Sequence, residues 1–250
     1  MTAFADLHVP GSPLLLPNAW DYASAAVLAA THPAVGTTSL GVAVAAGKPD
    51  AAGVTRAENI ALAGLMARLP AHVTVDVENG FSEDVGEVAE LVAELAELGV
   101  AGVNIEDGRE DRLVPAEHMA AVVAAVKAAA PEVFVNARTD THWLKLAPVE
   151  ETLRRVRAYV DAGADGVFVP ALDDEREIET VVKAAGVPVN LVYGRHTPAR
   201  LASLGVARIS TGSLLFRATL HALTTTMAAV ADGTVQPSVF PPYGEVAGLV

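Results

Sequence analysis

A glycine just ahead of a short apolar run recurs along this chain, in LGVAGVNI (98–105), AGADGVFV (162–169), AAGVPVNLV (184–192) and LGVARIS (204–210). Each glycine closes a helix-length segment, and each apolar run has the length of a buried strand. Strands joined through helices run parallel, because no tight turn can connect them. The whole chain reads this way. Strands are expected at 14–17, 34–39, 72–78, 102–106, 133–137, 166–170, 187–192 and 206–210, with helices between them and a last helix over 213–231. Small residues over 40–49 read as a loop. Eight short-linked alternations without a hairpin signal predict an α/β fold, a single-domain (β/α)8 TIM-type barrel over 1–235. An open doubly wound sheet is the alternative, but its glycine-rich fingerprint after the first strand is missing. The Pro-rich tail QPSVFPPYGEVAGLV, 236–250, is expected to be irregular.

Lys+Arg total 17 against Asp+Glu 30, a formal charge of -13, which argues against nucleic acid and anionic membrane surfaces as partners. An anionic substrate would then need a metal or a placed arginine. Cysteine is absent, so thiolate metal sites and cysteine nucleophiles are impossible. No secretory signal is seen at the N-terminus, and no apolar run approaches the ~18 residues of a membrane span. A soluble cytoplasmic protein is the expectation.

In such a barrel, chemistry sits at the carboxyl ends of the strands. The third strand, HVTVDVE, and the fourth, GVNIED, both end in carboxylates: Asp76 and Glu78, then Glu106 and Asp107. Strand alternation puts Asp76 and Glu78 on one face, where two carboxylates repel unless a cation or shared protons intervene. Oxygen ligands with no histidine at these strand ends favour Mg2+ or Mn2+ over Zn2+. Asp107, before a glycine, is either a turn residue or a brace for a neighbour. Arg138, ending the fifth strand, could pair with a substrate carboxylate or serve a structural ion pair. The turn Thr38-Ser39-Leu40 could offer backbone N–H groups to an oxyanion. Asn190 is balanced between substrate contact and backbone hydrogen bonding. His32, His142 and His196 read as solvated loop residues, and STGS (210–213) as a weak phosphate signal or a simple helix start.

PNAWDYASA, TTSLGVAVAAGKPD, VTVDVENGF, GVNIEDG and VNARTD, in this order and spacing, resemble the isocitrate lyase/phosphoenolpyruvate mutase superfamily over roughly 14–217. The resemblance implies an α/β barrel that binds Mg2+ or Mn2+ and cleaves or forms C–C or P–C bonds beside a 2-oxo or 2-hydroxy acid, commonly through a metal-bound pyruvate enolate. It implies Asp76, Glu106, Asp50 and Glu78 as the metal set, the last in place of a shorter Asp. It implies Arg138 and Glu78 as catalytic residues. Thr38, Ser39, Leu40, Arg138 and Asn190 would contact substrate. The Lys-Cys-Gly-His loop of isocitrate and methylisocitrate lyases is replaced by GREDRLVPAEH (108–118), which disfavours those two activities. The mutase's longer gating loop is absent too, and no domain-swapped C-terminal helix is evident.

The leading expectation is a Mg2+-dependent C–C lyase or decarboxylase acting on a small 2-oxo or 2-hydroxy (di)carboxylate. Its proton donor is open among water, Tyr193 and His142. P–C chemistry on phosphonopyruvate is the alternative within enzymes, and a non-catalytic 2-oxo acid-binding barrel the alternative outside them. The expected partners are a small anionic substrate and copies of the chain itself, as a dimer or tetramer.

Overall fold

The computed structural model describes residues 3–250. Its strands are β1 (Leu14–Leu16), β2 (Asn18–Ala19), β3 (Ala34–Thr37), β4 (His72–Asp76), β5 (Gly102–Glu106), β6 (Gly108–Arg109), β7 (Arg112–Leu113), β8 (Phe134–Arg138), β9 (Gly166–Phe168), β10 (Val189–Val192) and β11 (Arg208–Ser210). The helices are α1 (Tyr22–Ala29), α2 (Ser39–Ala45), α3 (Arg56–Met66), α4 (Val85–Glu97), α5 (Ala116–Ala129), α6 (Val149–Asp161), α7 (Glu175–Ala185), α8 (Pro198–Ser203), α9 (Leu214–Ala231) and α10 (Tyr243–Ala247).

The parallel sheet runs β1-β11-β10-β9-β8-β5-β4-β3-β2. β1 and β2 are two halves of one stave interrupted by Pro17, which has no N–H for a ladder. The first half pairs with β11 and the second with β3, while the Pro17 carbonyl accepts from the Gly36 amide at 2.9 Å. The sheet closes on itself through this shared stave, and the fold is a (β/α)8 barrel. The repeated glycines act as helix stops: Gly99, Gly163, Gly186 and Gly205 all have positive φ. Helix starts are set by Asp21, Asp84, Asp174 and Thr197, whose side chains accept from first-turn amides.

The amino end of the barrel is plugged by aromatics. His8 stacks on Phe134 at 4.3 Å and Phe4 meets Phe134 edge-on at 5.5 Å. A side chain at Gly102 would collide with Phe4 and the Phe134 carbonyl, so the plug requires glycine there.

Three expectations change. Part of the segment expected as a loop over 40–49 folds as α2, because Val42 and Ala43 are buried and Gly41 lies tight against Trp20. The tail expected to be irregular contains a 3-10 turn (Pro237–Val239) and α10, all exposed. Beyond its first turn the last helix does not pack on its own barrel. Only Phe216 of α9 is buried, and Leu220, Leu223, Met227 and Val230 form an exposed stripe. By length and composition alone α9, at 18 residues, is long and apolar enough to cross a membrane, although Arg217, His221 and its threonines interrupt any continuous apolar run. Alanines carry much of that apolarity, which hides it among the threonines. On β1, Leu15 points outward and is 44% exposed, where a barrel helix would ordinarily cover it.

Candidate active site at the carboxyl ends of the strands

β4 and β5 deliver their carboxylates to the barrel mouth because both strands are buried up to their last residues. There they line a cavity of about 520 Å3 that Asp50, Asp76, Glu106, Arg138 and Asp140 share. Thr38, Ser39 and Leu40 form part of its wall, and Trp143, Leu144 and Phe168 supply an apolar side.

Arg138 is the electrostatic centre. Its Nη1 donates to Glu106 at 2.6 Å, and its Nε and Nη2 donate to the two Asp140 oxygens at 2.6 and 3.1 Å. The guanidinium also lies over the Phe168 ring at 5.6 Å. Three of its five N–H groups are thus engaged, leaving one on each terminal nitrogen for a ligand. Burial works against its charge, yet Glu106 and Asp140 outweigh that and raise its pKa. Asp140 is held in place by its own amide, which donates to Asp107 at 2.8 Å. Asp107 in turn is fully buried, accepting from Arg155 at 2.9 Å and from the Tyr159 hydroxyl at 2.6 Å. It is a brace. Gly108 completes the arrangement, since a Cβ there would collide with the Asp140 carboxylate.

The carboxylates are under strain as charges. Burial raises the pKa of Asp76, opposed by Arg138 and reinforced by Asp50. Burial raises that of Glu106 well above the ordinary range, again opposed by Arg138. Such a set favours a hard cation that restores full ionisation. The donors fit Mg2+ or Mn2+, because every one of them is oxygen. Among the described residues no three acidic or histidine side chains stand close enough to chelate an ion unaided. The fit is therefore to an ion held by few carboxylates, with water and substrate completing its shell, as Mg2+ commonly prefers. Asp76 is positioned for this by backbone amides: Glu78 donates to it at 3.3 Å and Ser39 also bonds it.

Two expected site residues are off the cavity wall, Glu78 still close enough for its charge to be felt by Glu106. Glu78 does not line the cavity. The strand ends at Asp76, and Glu78 sits in the left-handed region at φ 51°, so alternation no longer governs it. Its carboxylate accepts from the Thr55 hydroxyl at 2.7 Å and the Gly53 amide at 3.2 Å, tying down the loop that carries Asp50. Asn190 lies buried within the barrel and is absent from the cavity wall, which Val192 and Tyr193 occupy on that strand's side. In STGS, the weak phosphate signal, two amides are already committed: Asn18 Oδ1 accepts from the Thr211 and Gly212 amides at 3.0 and 2.9 Å. His142 is largely buried rather than solvated, bonded to Glu177 at 3.2 Å. The segment after β5 folds into the β6–β7 hairpin, which brings Glu110 to the cavity edge. Asp140 falls at the mouth, as its place two residues beyond Arg138 in RTD leads one to expect, whereas Glu110, on a hairpin beyond the strand end, carries no such signal.

Comparisons with known proteins bear on the chain and its fold as a whole. The profile of the family described as phosphoenolpyruvate phosphomutase matches residues 4–231. An uncharacterized protein of Mycobacterium tuberculosis is 46% identical over 247 residues, covering 98% of this chain and 94% of that one. An oxaloacetate decarboxylase of Ectopseudomonas mendocina is 35% identical over 193 residues, covering 70% of this chain and 64% of the relative. Among solved structures, a candidate lyase/mutase from Burkholderia cenocepacia J2315 superposes with a TM-score of 0.88 at 33% identity, covering 98% and 93% of the two chains. The crystal structure of 2,3-dimethylmalate lyase gives 0.84 at 25% identity, covering 100% and 95%.

Proposed function

Because this chain belongs to the phosphoenolpyruvate phosphomutase family, within the phosphoenolpyruvate mutase/isocitrate lyase superfamily, we propose that it is a Mg2+-dependent C–C lyase or decarboxylase. Its substrate is a small 2-oxo or 2-hydroxy dicarboxylate, and the reaction passes through a pyruvate-type enolate. The observation that carries this reading is the convergence of Asp76, Glu106 and Arg138 on one cavity at the barrel mouth. The similarity to an oxaloacetate decarboxylase supports the choice of reaction.

Asp76 is the proposed direct metal ligand, with Glu106 and Asp50 facing the same space. Bound Mg2+ would supply Lewis acidity toward the substrate's 2-oxygen and one carboxylate oxygen. Arg138, with its two remaining N–H groups, would bind substrate and offset the negative charge that grows on the enolate oxygen. Asp140 and Glu106 fix the plane of that guanidinium. The apolar wall of Phe168, Trp143 and Leu144 limits water around the reacting carbons. In decarboxylation the bond between C3 and the departing carboxyl breaks, CO2 leaves, and its electron pair becomes the enolate. A proton then returns to C3 from water or from Tyr193, which stands at the cavity wall. His142 faces Glu177 and is not placed for that step.

The chain is further proposed to act in the cytoplasm as a homo-oligomer. The exposed stripe of α9 and the bare outer face at Leu15 are complementary needs that copies of one chain can satisfy. P–C bond chemistry on phosphonopyruvate is the second reading, favoured by the description of the matching family.

The test is a panel of 2-oxo and 2-hydroxy diacids with Mg2+, read as pyruvate formed, alongside phosphonopyruvate read as phosphate released. Pyruvate formed by the wild type and lost in Asp76→Ala and Arg138→Ala supports the proposal. Phosphate release alone moves the chain to the second reading. Mg2+-dependent binding with no turnover across the panel makes it a binding protein.

A further inference from the structure

We infer that Arg217 receives the far anionic group of the substrate, and that the site is thereby selective for diacids over monoacids. This rests on the reading of the cavity as a 2-oxo or 2-hydroxy acid site.

The cavity is lined by five carboxylates and only two cations, Arg138 and Arg217. Arg138 is shared between Glu106 and Asp140. Arg217 has no side-chain hydrogen bond or ion pair among the described residues. It is the one uncommitted cation on the wall of a strongly acidic cavity in a chain of charge -13. An anion entering there meets repulsion from most of the wall and one free guanidinium, which both steers and holds it.

Topology places this residue across the mouth, where a far group would arrive. Going round the closed sheet, β11 is the stave opposite β5, four steps away in either direction. Glu106 and its partner Arg138 thus lie on one side of the mouth, and the segment leaving β11 rises on the other. Arg217 belongs to the first turns of α9, and its amide donates to the Ser213 carbonyl at 3.0 Å. Although most of α9 is exposed, this end is fixed. Phe216 is buried and meets Trp20 edge-on at 5.3 Å, while Asn18 clasps the amides of Thr211 and Gly212. A substrate whose 2-oxo acid end is gripped near Asp76 and Arg138 projects its remaining carbons across the opening toward Arg217. A monoacid leaves that cation without a partner.

The experiment compares wild type, Arg217→Met and Arg217→Lys as full chains with Mg2+. Oxaloacetate is the probe with a far carboxylate; oxalate, whose second carboxylate stands in for the 2-oxo group, and the monoacid pyruvate are the probes that fill the 2-oxo acid end alone. Arg217→Met should raise the KM for oxaloacetate by about 10- to 100-fold, the scale of one lost charge-assisted contact, with kcat unchanged or raised, because that carboxylate gives up its charge as it leaves as CO2. Inhibition by oxalate and by pyruvate should stay unchanged, and Arg217→Lys should recover part of the loss. A KM change below about twofold, or oxalate weakening in parallel, overturns the inference. If wild type binds oxaloacetate without turning it over, the proposed reaction fails. The same comparison is then made on calorimetric Kd values, where the ratio of oxaloacetate to oxalate affinity decides the role of Arg217. If wild type binds none of the probes with Mg2+, the inference falls together with the reading beneath it.

Discussion

Arg138 and Glu106 are register partners on adjacent staves, and the guanidinium of one lies 2.6 Å from the carboxylate of the other. Both side chains are largely buried, at 14% and 9% exposure, so this pair cannot rely on water. Removing the cation would strand Glu106 and Asp140 as neighbouring buried carboxylates. Arg138→Met should therefore cost about 3–5 kcal/mol of stability at neutral pH, measured by urea denaturation. Arg138→Lys keeps the charge but loses the fork that reaches both carboxylates. It should fold more stably than the Met variant, yet lose about 100- to 1,000-fold in kcat/KM for the diacid that wild type turns over. Equal stability of wild type and Arg138→Met would contradict the central role given to this pair.

Glu78 provides a sharper test of the metal assignment. It accepts from Thr55 and Gly53 and so holds the loop bearing Asp50 instead of facing the cavity. Asp76→Asn should abolish the Mg2+-dependent rise in melting temperature caused by oxalate. Glu78→Gln and Thr55→Val should each only weaken it, by a similar few-fold in apparent Mg2+ affinity, and Thr55→Val should cost about 1–3 kcal/mol by leaving the carboxylate short of a donor. Were Glu78 a direct ligand, its variant would match Asp76→Asn and Thr55→Val would leave binding untouched.

His8, far from the mouth, makes stability depend on pH. Burial, with Arg208 adding to it, lowers its pKa from 6.5 to about 4. The folded chain therefore holds it neutral where the unfolded chain begins to protonate. Its contribution is fully present above 6.5, the unfolded value, and is lost progressively as the pH falls toward 4. The total is about 3 kcal/mol, from the size of that shift. Comparing urea midpoints near about pH 7.5 and about pH 5 in wild type and His8→Gln isolates the effect. The variant should be less stable at the higher pH, since it loses the stack on Phe134, but should show a smaller fall between the two. An equal fall in both would assign the acid sensitivity to other groups.

The barrel was legible in the sequence because the glycine stops and apolar runs are local signals that the long-range structure merely assembles. Asp76, Glu106 and Arg138 were legible for the same reason: each ends a strand, and strand ends meet at one mouth. Glu78 was not, because alternation applies only while the strand lasts, and the chain turns left-handed two residues past Asp76. Asn190 shows the converse limit, as its strand continues beyond it to Val192, which with the following Tyr193 takes its place on the wall. Arg217 lies on a helix with no motif of its own. Its significance comes from the commitments of other side chains, which no local pattern reveals.

α9 presents a last consequence of the closed sheet. A barrel of eight staves needs a helix over the seam between β11 and β1, yet α9 leaves Leu220, Leu223, Met227 and Val230 in the open while Leu15 stays uncovered. Exposed apolar area of this kind in a folded chain marks an interface. Light scattering after size exclusion should give a dimer or tetramer, and Leu223→Asp with Met227→Asp should shift it to monomer with a lower melting temperature. Because α9 is also apolar and long enough to enter a bilayer, the same preparation should be offered to neutral vesicles. Co-flotation with them, together with a monomeric mass in their absence, would reassign the helix to a membrane. A stable oligomer that ignores vesicles and dissociates on the two substitutions would place the stripe against another copy of the barrel.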